Sequence, residues 1–154
     1  MSYRNRSSGF TLIELMVTVA VLGIAIGIAV PSFAELIKNN RAESQSNAVV
    51  NALSLARSEA IKRGATVTVA PLTAGTSWDN GWAVKAGAEV LRTFEALKGA
   101  SLSGASGIEF NSRGQLVGTA VNLEYRVGAD SCRYERNINV NMVGRVSVAK
   151  RTCS

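Results

Sequence analysis

The apolar run at residues 10–33 constrains this chain more than any other feature of its sequence. It holds a single charged residue, Glu14, and a helix needs about 20 apolar residues to cross a bilayer. Because Asp, Lys or Arg at the centre of such a helix costs about 2.5–3.5 kcal/mol even on lenient insertion scales, an intramembrane carboxylate usually has a partner. The run therefore predicts a transmembrane helix and raises the question of what Glu14 does there.

Two other interpretations of this run are weaker. A secretory signal peptide has an apolar region of about 7–15 residues and a small-residue cleavage site, whereas this run continues past Pro31 into helix-forming sequence. A buried helix of a soluble protein would need more chain around it than these 154 residues provide. With Arg4 and Arg6 ahead of the run, the positive-inside rule places the N-terminus in the cytoplasm and the rest of the chain outside it.

Residues 9–16, "GFTLIELM", resemble the processing site of type IV pilins and of the pseudopilins of type II secretion. The resemblance implies that a prepilin peptidase cleaves after Gly9 and methylates the new N-terminal amine of Phe10. It also implies that Glu14 pairs with the N-terminal amine of a neighbouring subunit when the helix leaves the membrane for a filament. The alternative from the residues alone is a Glu14 side chain that reaches water at the membrane surface and needs no partner.

Helix-forming sequence extends beyond the membrane run, since residues 34–63 contain no Pro or Gly. Val49, Leu53, Ala56 and Ala60 recur at four- and three-residue steps, which predicts one buried face. We expect this helix to end near residue 63, where Gly64 provides a C-terminal cap.

A proline interrupts the helical sequence at position 31. Pro31 removes a backbone donor and clashes with the preceding turn, so we expect it to bend the helix. Pilins carry a proline at the matching place, which agrees with the resemblance.

After Gly64 the pattern changes to short alternating runs punctuated by turns at residues 79–81, 112–114 and 143–144. Strands are predicted at residues 66–72, 81–87, 89–97, 107–111, 115–118, 121–127, 136–142 and 145–150. The predicted fold class is α+β, the type IV pilin fold, in which a long N-terminal helix packs on a C-terminal antiparallel β-sheet head. The predicted segments are a leader, a transmembrane and filament-core half-helix, an amphipathic half-helix and a globular head, at residues 1–9, 10–33, 34–63 and 64–154.

Three segments of the predicted head, "SWDNGWAVKAG", "IEFNSRGQL" and "NVNMVGRVSVAKRTC", resemble the minor pilins and minor pseudopilins of the GspH/FimT group. Trp78 and Trp82 flank a turn in the first of these segments. Such a pair would serve either to stack a ligand or to pack the core, and we favour packing.

Composition narrows the chemistry of the head. The chain has no His and only two Cys, which excludes a His-dependent catalytic triad and leaves too few ligands for an ordinary zinc site. We therefore expect neither an enzyme nor a bound cofactor or metal. Cys132 and Cys153 are expected to form a disulfide in the oxidising compartment that the topology predicts, with two buried free thiols as the alternative.

The C-terminal region is rich in cations, with six Lys and Arg against three acids from residue 124 onward. Family members associated with DNA uptake bind DNA through a Gly-Arg-x-Arg motif, but the matching residues 144–147 lack the second arginine. Two interpretations stay open, namely DNA contacts by Arg145, Lys150 and Arg151, or a solvated strand face. We favour the solvated face, because so few cations would bind phosphate weakly.

The resemblance implies a minor pilin, a structural subunit of a type IV pilus or of its initiation and tip complex, that supports pilus assembly and twitching motility. Its implied partners are the major pilin, other minor pilins, the inner-membrane assembly platform and the prepilin peptidase. Before assembly the chain would cross the inner membrane once with a periplasmic head, and after assembly it would lie in a surface pilus. The alternatives are a minor pseudopilin of type II secretion and a DNA-binding minor pilin for natural transformation.

Overall fold

A computed structural model describes residues 10–73, 75, 77–128 and 132–152 of the chain. Its main helix, α1, spans Leu12–Arg63 and passes through Pro31 without interruption. The chain divides into two compact units, residues 1–37 and residues 38–154. In the first unit every described side chain is exposed, and the second unit contains the rest of α1 and all of the strands.

The head contains eight strands and one short 3₁₀ helix in its described part. The strands are β1 Val67–Pro71, β2 Trp82–Ala86, β3 Glu89–Phe94, β4 Ser101–Ser103, β5 Ile108–Phe110, β6 Val121–Arg126, β7 Arg136–Val140 and β8 Val146–Lys150, with the 3₁₀ helix at Cys132–Tyr134. They form two antiparallel four-stranded sheets, ordered β3-β2-β1-β5 and β4-β6-β7-β8. The predicted antiparallel head is therefore split into two sheets.

The buried face of α1 follows the predicted stripe and extends it by two turns. Its buried residues are Ala42, Ser46, Val49, Ala52, Leu53, Ala56 and Ala60. The apolar residues among them join the inward side chains of both sheets in one cluster, so one helix face contributes to a core that both sheets share. Such a stripe of alternating four- and three-residue steps is what a helix needs to cover a sheet along one side.

The C-terminal end of α1 agrees with the sequence. The Ala65 N–H donates to the Ala60 carbonyl at 3.3 Å and the Gly64 N–H to the Ile61 carbonyl at 3.4 Å, a pattern that satisfies carbonyls left open at a helix end. The Arg63 guanidinium pairs with Glu59 at 2.8 Å and with Glu89 at the start of β3 at 2.6 Å. These bonds tie the last turn of α1 to the first sheet.

One strand prediction was wrong, and one strand of the structure was not predicted. Residues 115–118 form only an isolated bridge, Phe110 with Leu116, because their N–H groups go to two different places, Leu116 to the Met142 carbonyl and Val117 to the Glu109 carbonyl. Conversely, β4 was not predicted, since three residues are too few to show an alternating pattern. The carboxylate of Asp79 holds β4 by accepting the Leu102 N–H at 2.7 Å.

The two tryptophans lie in the core, as the packing interpretation predicted. Trp78 is fully buried and Trp82 is 1% exposed, and their ring centroids are 6.3 Å apart. The Trp78 indole N–H donates to the Ala105 carbonyl at 2.8 Å, while Trp82 stacks on Phe94 with a centroid distance of 5.6 Å. Neither ring offers an open face for a stacked ligand.

Candidate functional site

The N-terminal end of α1 is closed by a pair of reciprocal hydrogen bonds. The Glu14 N–H donates to the Thr11 hydroxyl at 3.2 Å, and the Thr11 N–H donates to the Glu14 carboxylate at 3.5 Å. This is a capping box, in which two backbone donors at a helix start are satisfied by side chains three residues apart. This role was not predicted from the sequence, although Thr-x-x-Glu before an apolar run is its signature. Glu14 therefore has a partner within its own chain before any neighbour is present.

The residues predicted for processing lie at or beyond the edge of the described chain. Gly9 is outside the described residues. Phe10 is 82% exposed. Glu14 is also exposed, in the first turn of α1.

The N-terminal part of α1 exposes apolar side chains on every face. One 18-residue window has a mean hydropathy of 2.5 with none of its residues buried, and all side chains from Phe10 to Lys38 are exposed. An all-round apolar helix needs either a membrane or other helices to cover it. The helix therefore meets the length and composition required of a membrane span.

Of the two cysteines predicted to form a disulfide, only Cys132 can be described, because Cys153 lies outside the described residues. Cys132 begins the 3₁₀ helix and is half-buried. The Arg151 N–H donates to the Glu135 carbonyl at 3.3 Å, and the Glu135 N–H donates to the Cys132 carbonyl at 3.0 Å. These bonds bring Arg151 beside the segment that begins at Cys132.

Several of the C-terminal cations are engaged within the fold. Arg126 and Arg151 both pair with Glu135, at 3.8 and 2.8 Å. Arg136 is 4% exposed, and its guanidinium donates to the Asn39 side-chain oxygen at 3.0 Å and to the Glu135 carbonyl at 3.0 Å. Arg136 therefore ties β7 to α1.

The three cations singled out for DNA are not gathered into one cluster. Arg145 immediately precedes β8 and Lys150 is its last residue, a separation of about 17 Å along an extended chain. Lys150 lines a groove with Glu43 and Asn47 of α1, and Arg151 is held by Glu135. The carboxylate of Glu43 in the same groove and that of Glu135 weaken the attraction of Lys150 and Arg151 for phosphate.

Two turns of the head have the same sequence pattern and the same hydrogen bonds. Residues 111–115, "NSRGQ", and residues 141–145, "NMVGR", each begin with Asn and have Gly at the fourth position. In both, the Gly N–H donates to the Asn carbonyl and the Asn N–H donates to the fifth residue's carbonyl, at 2.8–3.0 Å. The Asn side-chain oxygen also accepts the N–H of the fifth residue, at 3.0 and 2.8 Å. We call this pair the twin turns.

The twin turns are held together by Arg57 of α1. Its Nε donates to the Gly114 carbonyl at 3.0 Å, and its Nη2 donates to the Val143 carbonyl at 3.2 Å. Gly144 packs against Gly114 so closely that a Cβ would collide with the Gly114 carbonyl oxygen. The glycine that matched the DNA-uptake motif is therefore required for packing the two turns.

The ion pairs at the end of α1 shift the pKa values of the groups involved. Hydrogen bonding from Arg63 lowers the carboxyl pKa of both Glu59 and Glu89, and the same bonds raise the pKa of Arg63. In the core, burial raises the pKa of Tyr125 to about 12, and its hydroxyl donates to the Gln45 side-chain oxygen. The Arg63–Glu89 pair and the Tyr125–Gln45 bond join α1 to a strand, and the Arg63–Glu59 pair lies within α1.

Comparison with known families accounts for both parts of the chain. Residues 4–30 match the family model of the prokaryotic N-terminal methylation motif. Residues 45–144 match the family model described as the type II transport protein GspH. The chain belongs to the GspH family. This family consists of structural pilin-type subunits that assemble with other pilins and associate with membranes through the N-terminal helix.

Two crystal structures of FimU, a type IV minor pilin of Pseudomonas aeruginosa strain PAO1, are similar to this GspH-family chain. One has a TM-score of 0.62 at 20% identity and covers 76% of this chain and 92% of FimU. The other has a TM-score of 0.59 at 21% identity and covers 71% of this chain and 90% of FimU. At this identity the likeness shows the fold alone, which is the predicted type IV pilin fold.

Proposed function

We propose that this GspH-family chain is a minor pilin, a structural subunit of a type IV pilus or of its initiation and tip complex, that supports pilus assembly and twitching motility. The observation that carries the proposal is α1, whose N-terminal part is apolar and exposed on every face while its C-terminal part is buried along one stripe by the head. The N-terminal end of such a helix can be covered by a membrane or by a bundle of other helices, and its C-terminal end packs in its own domain.

Processing follows from the same proposal. The prepilin peptidase removes residues 1–9 and methylates the amine of Phe10, and the methylation-motif match over residues 4–30 supports this assignment. Glu14 then pairs with the N-terminal amine of a neighbouring subunit, because a carboxylate that is costly in lipid is stabilised by a nearby ammonium. Before assembly the chain lies in the inner membrane, with its N-terminus in the cytoplasm and its head in the periplasm.

Processing is tested by the intact mass of the protein extracted from membranes. A mature chain that starts at a methylated Phe10 supports the proposal, and a start near Ser32 would overturn it. Gly9→Leu should leave the uncut form in the membrane, because a bulky residue at the cleavage position blocks the peptidase.

A second candidate function is a minor pseudopilin of a type II secretion system, which the description of the matching family favours. Deletion of the gene separates the two, with surface pili, twitching and secreted proteins scored in the same strain. Loss of pili and twitching with intact secretion supports the minor pilin, and the reverse supports the pseudopilin. If neither changes, both assignments fail.

A further inference from the structure

The twin turns carry an exposed apolar surface where polar residues are usual. Met142 and Val143 occupy the tip of the second turn and are 63% and 58% exposed, and Ile61 of α1 is 52% exposed. Turn tips favour Gly, Pro, Asn, Asp and Ser, which leave little apolar surface. A Cβ at Gly114 would lie 2.6 Å from Ile61 Cδ1, so Ile61 lies against the first turn. Two large apolar side chains at the tip of a hairpin therefore need a reason other than folding.

Cations border this apolar surface. Arg113 of the first turn and Arg145 at the end of the second are both exposed, and Arg57 lies beneath them with its guanidinium bonded to both turns. We call the set Ile61, Met142, Val143, Arg113 and Arg145 the twin-turn patch. Because Arg57 and the contact of Gly144 with Gly114 hold both turns, the backbone of the patch is preorganised and loses little conformational entropy when a partner binds.

We propose that the twin-turn patch binds the head of another pilin-type subunit through a surface with an apolar centre and an acidic rim. An apolar centre within a charged rim is the arrangement of protein–protein interfaces, whereas DNA is bound mainly by cations that contact phosphates. The assembly of this family with other pilins supplies the class of partner, so the inference rests on the proposed filament function.

The positive net charge of the head argues against a second copy of this chain as the partner. Residues 38–154 carry 15 Lys and Arg against 9 Asp and Glu, a net charge of +6. Two such heads repel each other, and the cations at the rim of the patch need carboxylates opposite them. The partner is therefore a different and more acidic subunit.

The test is site-specific photo-crosslinking of the full chain in the cells that produce it. A benzophenone amino acid replaces Met142, and the matched control carries it at Val90, a residue of β3 that is 53% exposed. We expect an adduct from Met142, absent from Val90, whose partner peptide belongs to another pilin-type subunit and contains Asp or Glu. The double variant Arg113→Glu and Arg145→Glu should lower its yield about fivefold or more, and Lys98→Glu should not.

The inference would be overturned by a nuclease-sensitive adduct with DNA, by an adduct with a second copy, by an adduct with a protein outside the pilin class, or by the same yield at both positions. No adduct at all would also overturn it. The unmodified protein is followed in sheared filaments of the same cells. Its presence there without an adduct rejects the twin-turn patch alone, whereas its absence from filaments rejects the proposed function.

Discussion

Gly144 packs against the carbonyl oxygen of Gly114 with no room for a side chain between them. This contact joins a hairpin of the second sheet to a loop that follows β5 of the first sheet, and Arg57 bonds to both sides of it. The two sheets of the head are thus connected away from the core by backbone packing. Glycine at position 144 is explained by this geometry without any ligand.

Replacement of Gly144 by Ala should destabilise the head more than replacement of Gly87 by Ala. Both glycines have positive φ, +77° and +58°, but a Cβ at Gly87 would meet nothing within 4 Å. The difference isolates the collision with Gly114, which should cost a further 1–3 kcal/mol, roughly the range for overpacking. Denaturant unfolding of the full chain in detergent, followed by tryptophan fluorescence, measures it. Equal losses in the two variants would contradict the close packing.

Variants of Glu14 and Thr11 separate the capping box from the proposed pairing with a neighbouring amine. Glu14→Gln keeps an oxygen that can cap the helix but removes the charge, so it should reduce filament incorporation as much as Glu14→Ala. Thr11→Ala removes half of the capping box and keeps the carboxylate, so incorporation should be retained. The measurement is the ratio of this protein in sheared filaments to that in the inner membrane, at matched expression. If Glu14→Gln behaves like wild type, the mechanism is not electrostatic.

A bond between Cys132 and Cys153 should be found in the exported protein by peptide mapping without reducing agent. The loop of about 20 residues should contribute about 3 kcal/mol on the chain-entropy model. Cys132→Ser and Cys153→Ser should therefore lower the unfolding midpoint by similar amounts, and the double variant should lower it no further. Full alkylation of both thiols in the native and the denatured protein would reject the bond.

The ion pairs of Arg63 should make stability fall at acid pH. Because the folded carboxyl pKa of Glu59 and of Glu89 is lowered from the ordinary 4.5, their contribution is present above that value and is lost as the pH falls through the folded pKa. Glu89→Gln should lower the unfolding midpoint at neutral pH and converge with wild type at low pH. Midpoints measured from pH 7 to pH 2 test this, with Glu95→Gln as the control. A constant difference across the range would exclude the linkage.

Local patterns in the sequence were sufficient for the elements whose interactions are local. The steps of three and four between Val49, Leu53, Ala56 and Ala60 identified the buried stripe of α1, because helix periodicity is a property of neighbouring residues. Gly64 marked the end of the helix for the same reason. The alternation of apolar residues likewise identified seven of the eight strands, and the apolar run with its motif indicated the family.

The tertiary structure decided which strands share a sheet and which charged residues are available. Arg136 is one of the C-terminal cations, yet it is buried against Asn39, and Arg57 of α1 bonds to two turns that are distant in the chain. Residues 115–118 resembled a strand, but the Leu116 N–H donates to the turn that follows β7 and the Val117 N–H donates to β5. Each of these outcomes depends on contacts between residues far apart in the chain, which periodicity does not encode. The sequence by itself determined the helix and its membrane-compatible end, and long-range packing decided the surface that the head presents.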